Sequence, residues 1–330
     1  MNRTIIPPAP CETLTIPFAG DTPWLAPLAG YSDLPFRLLC REHGAACCTT
    51  EMVSAKGLLY QSPGTAPLLR STPDDQPLIV QLFGGEEESL AKATHLLKDA
   101  GYRFFDLNVG CSVPKVMRQN AGAGMLRDPA LLLAAAKAMI QEAGPGYVGF
   151  KLRLGLDSDH SVLPDLPLAL EDLGAGWITL HPRTARQGFQ GTCDWSQIKR
   201  LVSLLRIPVV ASGDLLSAED GLRCLETTGA ATLMYARGAL HNPGIFSDHM
   251  NLVRGLPREA SSEAKLKRTI LRHLELVQNF SNGRDQTARM RGILSAYVRG
   301  LPKARAIRTQ LCAATRWEEL IVIVEQWLRS

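Results

Sequence analysis

The feature that most constrains the fold is a pattern repeated eight times. Across the first 240 residues a short apolar run is followed by a longer helical stretch. The runs fall at 24–29, 46–51, 78–83, 104–109, 148–154, 177–183, 208–214 and 231–238. Most are apolar at consecutive rather than alternate positions, which marks parallel strands covered on both faces. Helices are expected between them over 35–43, 86–100, 129–143, 163–173, 195–204 and 218–227. Asp194 and Ser217 stand where N-caps belong, and Gly44, Gly101, Gly144, Gly174 and Gly229 stand where helices end. Strand and helix in this alternation give an α/β fold, a TIM (β/α)8 barrel. An open doubly wound sheet is the alternative. The count of eight favours the barrel, as does the lack of a GxGxxG after the first run. After Pro243 the strands cease. Segments 260–281, 286–299, 303–309 and 317–328 read as helices, separated at Asn282-Gly283 and at Gly300-Leu301-Pro302. The chain is thus divided into a barrel over 1–245 and a small all-helical domain over 246–330.

Composition excludes several classes. No apolar run approaches the ~20 residues needed to span a bilayer. Pro7, Pro8 and Pro10 interrupt the N-terminus where a secretory signal needs a continuous apolar core. The eight cysteines are scattered, with no CxxC pair and no Cys/His grouping at zinc spacing, which suits a reducing compartment and no structural metal. A cytoplasmic protein with no membrane partner and no evident obligate protein partner is expected. The net charge of +4 is unevenly placed. Residues 251–330 hold 15 Lys/Arg against 7 Asp/Glu, whereas the first 250 hold 21 against 25. A basic end on a near-neutral body suits a polyanionic partner. The plainer reading is a solvated helical surface.

Catalytic groups in such barrels sit where strands run out into loops. The polar residues ending the runs are Glu51, Gln81, Asn108 with Cys111, Lys151 with Arg153, His181 with Arg183, Ser212 with Asp214, and Arg237. One buried polar group is normally a satisfied core residue; a polar group at seven strand ends marks a reaction centre. Ser212-Gly213-Asp214 and Ala236-Arg237-Gly238 let backbone amides approach closely where many barrels hold phosphate, and Arg237 adds charge. Lys151 is either a Schiff-base nucleophile or a fixed cation beside an electron-rich ring. Gln81 offers a donor and an acceptor together, which suits the imide edge of a flavin or pyrimidine. His181, with Arg183 and Arg186 following, suits an anion or a carbonyl. Cys111 is either a nucleophile or a general acid, since an ordinary thiol keeps its proton at neutral pH and can deliver it to a carbon gaining charge.

These residues carry a resemblance. Leu25-Ala26-Pro27-Leu28-Ala29-Gly30, Thr50-Glu51-Met52, Gln81-Leu82, Asp106-Leu107-Asn108-Val109-Gly110-Cys111 with Lys115-Val116, Gly122-Ala123-Gly124, Lys151-Leu152-Arg153, His181-Pro182-Arg183-Thr184 and Ser212-Gly213-Asp214 stand in a characteristic order. In that order the chain resembles the tRNA-dihydrouridine synthases of bacterial type, over roughly residues 24–246. The resemblance implies FMN at the strand C-terminal ends, NADPH as reductant and a helical domain that helps hold tRNA. It implies hydride transfer to C6 of a D-loop uridine, with Cys111 protonating C5. It assigns Pro27, Leu28, Ala29 and Gln81 to the flavin ring and Lys151 to its N1/O2 edge. His181, Ser212, Gly213, Asp214, Ala236 and Arg237 fall to the ribityl phosphate. Asn108, Glu51 and Arg183 are expected at the substrate, Asn108 between flavin and uracil. Arg284, Arg289, Arg291, Arg299, Arg305 and Arg308 make the helical end a grip for RNA phosphates. The chain departs from the family's usual pattern at Leu28, Ser112, Pro182, Ser212 and Ala236, and Ser112 lacks the rigid φ of the proline usual after the cysteine. Two other readings stand beside this one. A flavin-dependent barrel reductase of a free pyrimidine or an enone has no need of the basic end. A non-catalytic RNA-binding protein has no need of Cys111 and Lys151.

Overall fold

Parallel strands apolar on both faces need helices outside and a packed interior, and the chain meets both needs by closing its sheet. The computed structural model describes residues 15–257, 263–281, 285–299, 301 and 304–329. The proline-interrupted N-terminus, Cys11, Arg284, Lys303 and the helix breaks Asn282-Gly283, Gly300 and Pro302 lie outside them. Among the described residues nine strands pair in parallel: β1 (Trp24–Leu25), β2 (Cys47–Thr49), β3 (Val53–Ser54), β4 (Leu78–Phe83), β5 (Phe104–Val109), β6 (Val148–Arg153), β7 (Trp177–His181), β8 (Val209–Ser212) and β9 (Thr232–Tyr235). β2 and β3 both pair with β4, at Cys48↔Leu78 and Val53↔Leu82, so they are two parts of one stave. β9 returns to β1 at Trp24↔Met234, which closes a ring of eight. The TIM barrel expected from the alternation is the fold. Several runs stop early, β1 before Pro27, β7 before Pro182 and β8 before Gly213. Proline lacks the N–H a ladder needs, and glycine weakens a strand.

The outer helices are set by local signals. Asp194 accepts from the Ser196 N–H, and Ser217 and Asp220 form a reciprocal capping box. The five helix-ending glycines all have positive φ, from +68° to +103°, a conformation that costs glycine nothing.

Alternation along the strands decides what faces inward. At the N-terminal end of the barrel this set is Trp24, Cys47, Ile79, Phe104, Trp177 and Val210, all buried. Phe18 lies 5.1 Å from Trp24 and 6.3 Å from Trp177, so aromatic rings fill this end. Gly149 makes room for them, because a Cβ there would lie 1.9 Å from an indole carbon of Trp177. Two to four residues further along, the same alternation turns Gln81, Asn108, Lys151, Arg153, His181 and Ser212 toward the other end.

The C-terminal helices Glu263–Phe280, Thr287–Tyr297, Ala304–Ala313 and Trp317–Arg329 share one continuous hydrophobic core with the barrel. Glu263–Phe280 lies along Leu34–Glu42, with His273 against Phe36 at 5.6 Å and Arg272 paired with Glu42 at 2.6 Å. The helix Ile245–Val253 packs on the barrel. Its His249 bonds the Tyr235 hydroxyl at 2.9 Å and the Gly20 carbonyl at 2.7 Å, and its Phe246 meets Tyr235 edge-on. The expected division at 245/246 therefore falls at the first turn of a helix that belongs with the strands.

Candidate active site

A cavity of about 250 Å³ opens at the strand C-terminal ends. The loop that carries its thiol is held by a chain of hydrogen bonds. Asp106 Oδ1 accepts from Gln81 Nε2 at 2.7 Å, and Gln81 Oε1 accepts from Asn108 Nδ2 at 2.8 Å. Asn108 Oδ1 then accepts from the backbone N–H groups of Gly110, at 3.1 Å, and Cys111, at 2.8 Å. Backbone amides can only donate and Asp106 Oδ1 accepts, so both ends of the chain fix the same orientation of the two side-chain amides. Strand register makes this possible, because Gln81 lies opposite Asp106. The Cys111 carbonyl accepts from the Ala123 N–H at 2.9 Å. Gly122, at φ +58°, lets the backbone come this close, since a Cβ would sit 2.6 Å from that carbonyl oxygen. The half-buried Cys111 thus lies on a loop braced from both sides.

Charge in the site follows from burial. Asp106 Oδ2 is buried without a partner among the described residues. Burial pushes this carboxyl up to about 7, against the opposing pull of Gln81 and Lys151. Burial, and then the charge of Arg153, bring the Lys151 ammonium down to about 8. Burial foremost, then Lys151, Arg153 and Arg183, push His181 down to about 2, so its imidazole is neutral. Arg183 Nη1 lies 3.4 Å from His181 Nε2. A guanidinium only donates, which makes Nε2 the acceptor and leaves the hydrogen on Nδ1.

The loop after β8 is strained and strongly tied. Asp214 holds φ +54°. Its carboxylate accepts from Arg183 Nη1 and Nη2 at 2.8 Å each, from the Cys193 N–H at 2.8 Å and from Arg237 at 3.2 Å. A Cβ on Gly213, at φ +103°, would meet Cys193 Sγ at 2.5 Å and His181 Cδ2 at 2.6 Å. Arg237 lies over the Phe189 ring at 4.8 Å.

Pro27, Leu28, Ala29, Gln81, Asn108, Cys111, Lys151, His181, Ser212, Gly213, Asp214, Ala236 and Arg237 all border this one cavity. Glu51 and Arg183, expected at the substrate, do not. Arg183 is 1% exposed and is engaged by Asp214 and the Gln190 and Gly191 carbonyls. Glu51 stands behind the wall, accepting from the Gly30 N–H at 2.5 Å and from Arg289 at 2.6 Å. Three residues were missed or left without a role by the sequence. Asp106 lies two positions before Asn108, and that alternation was the available signal. Arg153 joins the loops by donating to the carbonyls of Gly110 at 2.8 Å and of Thr184 and Gly188 at 2.9 Å. Phe189, at the rim, was signalled only by being an aromatic between glycines in a loop after a strand.

The lining combines apolar Ala26, Leu28, Met52, Leu215 and Met234 with Lys151, His181 and Arg237. That donor set fits a planar ring with a polar edge and an anionic tail. No His/Cys/Asp/Glu grouping suited to a metal ion occurs among the described residues. Fold and cavity together define a TIM-barrel enzyme with its reaction centre at the strand C-terminal ends. A model of the dihydrouridine synthase (Dus) family matches residues 24–329, so the match runs through the helical end as well. A probable tRNA-dihydrouridine synthase of Aquifex aeolicus is 32% identical over 308 residues, covering 92% of this chain and 94% of that protein. A probable tRNA-dihydrouridine synthase 1 of Synechocystis sp. is 33% identical over 289 residues, 87% of this chain and 80% of that one. The tRNA-dihydrouridine synthase B of Xanthomonas axonopodis pv. citri is 32% identical over 286 residues, 86% of each. The chain belongs to the dihydrouridine synthase family, whose members are flavin-dependent oxidoreductases.

Proposed function

We propose that the protein reduces the C5–C6 double bond of a uridine in the D-loop of tRNA, in the cytoplasm, with FMN as its flavin and NADPH as reductant. The observation that carries this reading is the braced Cys111 loop, which borders the same cavity as Lys151 and Arg237. When bound and reduced, FMN supplies a hydride for C6 of the uracil. Saturation then needs a proton at C5, where negative charge is delocalised from the C4 carbonyl. Cys111 Sγ–H delivers it, and the thiolate left behind recovers a proton from water at the open mouth. Asn108 serves this step by holding the Gly110 and Cys111 amides.

Lys151, about 8 and so protonated at neutral pH, lines the cavity where it would hold the flavin's N1/O2 edge and offset negative charge there. Gln81, with one N–H and one lone pair left after the Asp106 and Asn108 bonds, meets the imide edge. Pro27, Leu28 and Ala29 bear on the ring. Ser212, Gly213, Ala236, neutral His181 and Arg237 hold the phosphate end. Asp214 shapes that loop while Arg183 and Arg237 offset its charge. A uridine leaves its stack to reach such a mouth, and of the arginines expected to grip RNA phosphates, Arg299, Arg305 and Arg308 are exposed among the described residues. The test is Cys111→Ala. The variant is expected to purify with wild-type flavin absorbance and to make no dihydrouridine in tRNA. Colourless protein that takes up no flavin, or a variant that still makes dihydrouridine at the wild-type rate, overturns the reading.

A further inference from the structure

Arg289 lies on the helix Thr287–Tyr297, where the sequence counts it among residues for RNA. It turns the other way. Nη1 donates to Asp33 Oδ2, and Nη2 donates to Glu51 Oε1 at 2.6 Å. The three side chains are 25%, 14% and 8% exposed. Each carboxylate uses its second oxygen on the barrel. Glu51 Oε2 accepts from the Gly30 N–H at 2.5 Å, and Asp33 Oδ1 accepts from the Phe36 N–H at 3.2 Å, capping the helix Leu34–Glu42. Between these two anchors the chain turns tightly. The Leu28 carbonyl accepts from the Tyr31 and Ser32 N–H groups at 2.9 Å each, and Ser32 Oγ accepts from the Leu28 N–H at 2.9 Å. The residues entering this turn, Pro27, Leu28 and Ala29, are cavity wall.

Gly30 sits at φ +83° with nothing within 4 Å of where a Cβ would be. At this open corner the bond to Glu51 adds to the hold that the Leu28 and Ser32 bonds and the packing of Leu28 and Tyr31 on the core give the turn. One helical turn on from Arg289, the place of a Cβ on Gly292 lies 3.7 Å from the Tyr31 ring, so the same helix face meets the same turn twice. Two carboxylates drawn together repel each other unless a cation stands between them. The planar fork of a guanidinium reaches two separated acceptors from two nitrogens in a fixed geometry, whereas an ammonium offers all its donors from one rotating nitrogen. Burial opposes the charge on Arg289, yet the two carboxylates outweigh it and raise its pKa.

We propose that Arg289 is a positioning residue through which the C-terminal helices set the conformation of the cavity-wall segment 26–33. The inference goes beyond the proposed function, because it rests on these bonds and not on substrate or flavin. Hydrogen exchange of the full-length protein tests it, and a protein that proved colourless would leave the test intact. Arg289→Met is expected to speed exchange over 26–33 by about tenfold, the behaviour of a locally released segment. The strands β4 to β6 and the helix Glu263–Phe280 keep wild-type protection. Glu51→Gln reproduces the effect, and the double variant exchanges no faster than the faster single one. Arg289→Lys, with the charge but not the fork, falls between. Wild-type protection of 26–33 in Arg289→Met overturns the inference. So does equal loosening of the helix Glu263–Phe280, which would make the contact a matter of docking alone. Should Arg289→Met not fold, Glu51→Gln decides: unchanged protection over 26–33 rejects the proposal.

Discussion

Asn108 separates two accounts of how the thiol is placed. Its Oδ1 already carries two backbone bonds and its Nδ2 donates to Gln81 Oε1 and, at 3.8 Å, to Met52 Sδ, which suits a brace for the Cys111 loop better than a contact to the base. Asn108→Ala removes the one oxygen that accepts from both backbone N–H groups. At about 0.5–1.5 kcal/mol each, the loop loses about 1–3 kcal/mol of its hold, which corresponds to roughly a 5- to 150-fold drop in the proton-delivery step. Asn108→Asp keeps an oxygen for the Gly110 and Cys111 amides but sets a carboxylate against Gln81 Oε1, so it should retain more activity than the alanine variant. Single-turnover formation of dihydrouridine at saturating tRNA reads the step, and flavin absorbance reports that the cavity is intact. A fall in tRNA affinity with an unchanged single-turnover rate would refute the brace and return Asn108 to the substrate.

Lys151, at about 8, loses its cation as pH rises through that value; flavin affinity measured by fluorescence quenching should hold below about pH 8 and decline above it, while Lys151→Met should bind weakly with no such inflection. Gly149→Ala places a methyl on the Trp177 indole; overpacking of a filled core typically costs about 1–3 kcal/mol, so thermal unfolding should shift several degrees lower with the cavity chemistry unaltered.

Much of this architecture is legible before any coordinates. β4 and β5 coincide with their apolar runs because both faces of a barrel stave are covered. The strand-end polar residues converge for the same reason, since parallel strands all finish at one mouth. What the sequence hides is the direction of a charged side chain whose partner is far along the chain. Arg183 follows Pro182 just past β7 and reads as an anion ligand, yet it meets Asp214 thirty-one residues later. Glu51 ends its run like the others, but its partner Arg289 is 238 residues away. Arg291 likewise turns inward to the Cys312 and Ala314 carbonyls, at 3.2 and 3.0 Å. Which arginines of an amphipathic helix face RNA is decided by docking against the barrel, and no local pattern records that. Phe189 is hidden for another reason: a rim aromatic belongs to no periodic element.

With Phe18, Trp24, Phe104 and Trp177 filling its far end, the barrel is a blind well. Its mouth passes Val113, Phe189 and Leu216, all more than half exposed. On the proposed reading, a dinucleotide reductant and a folded RNA would both be received at this mouth. They therefore take turns. The two half-reactions would then be kept apart in time by traffic at this mouth.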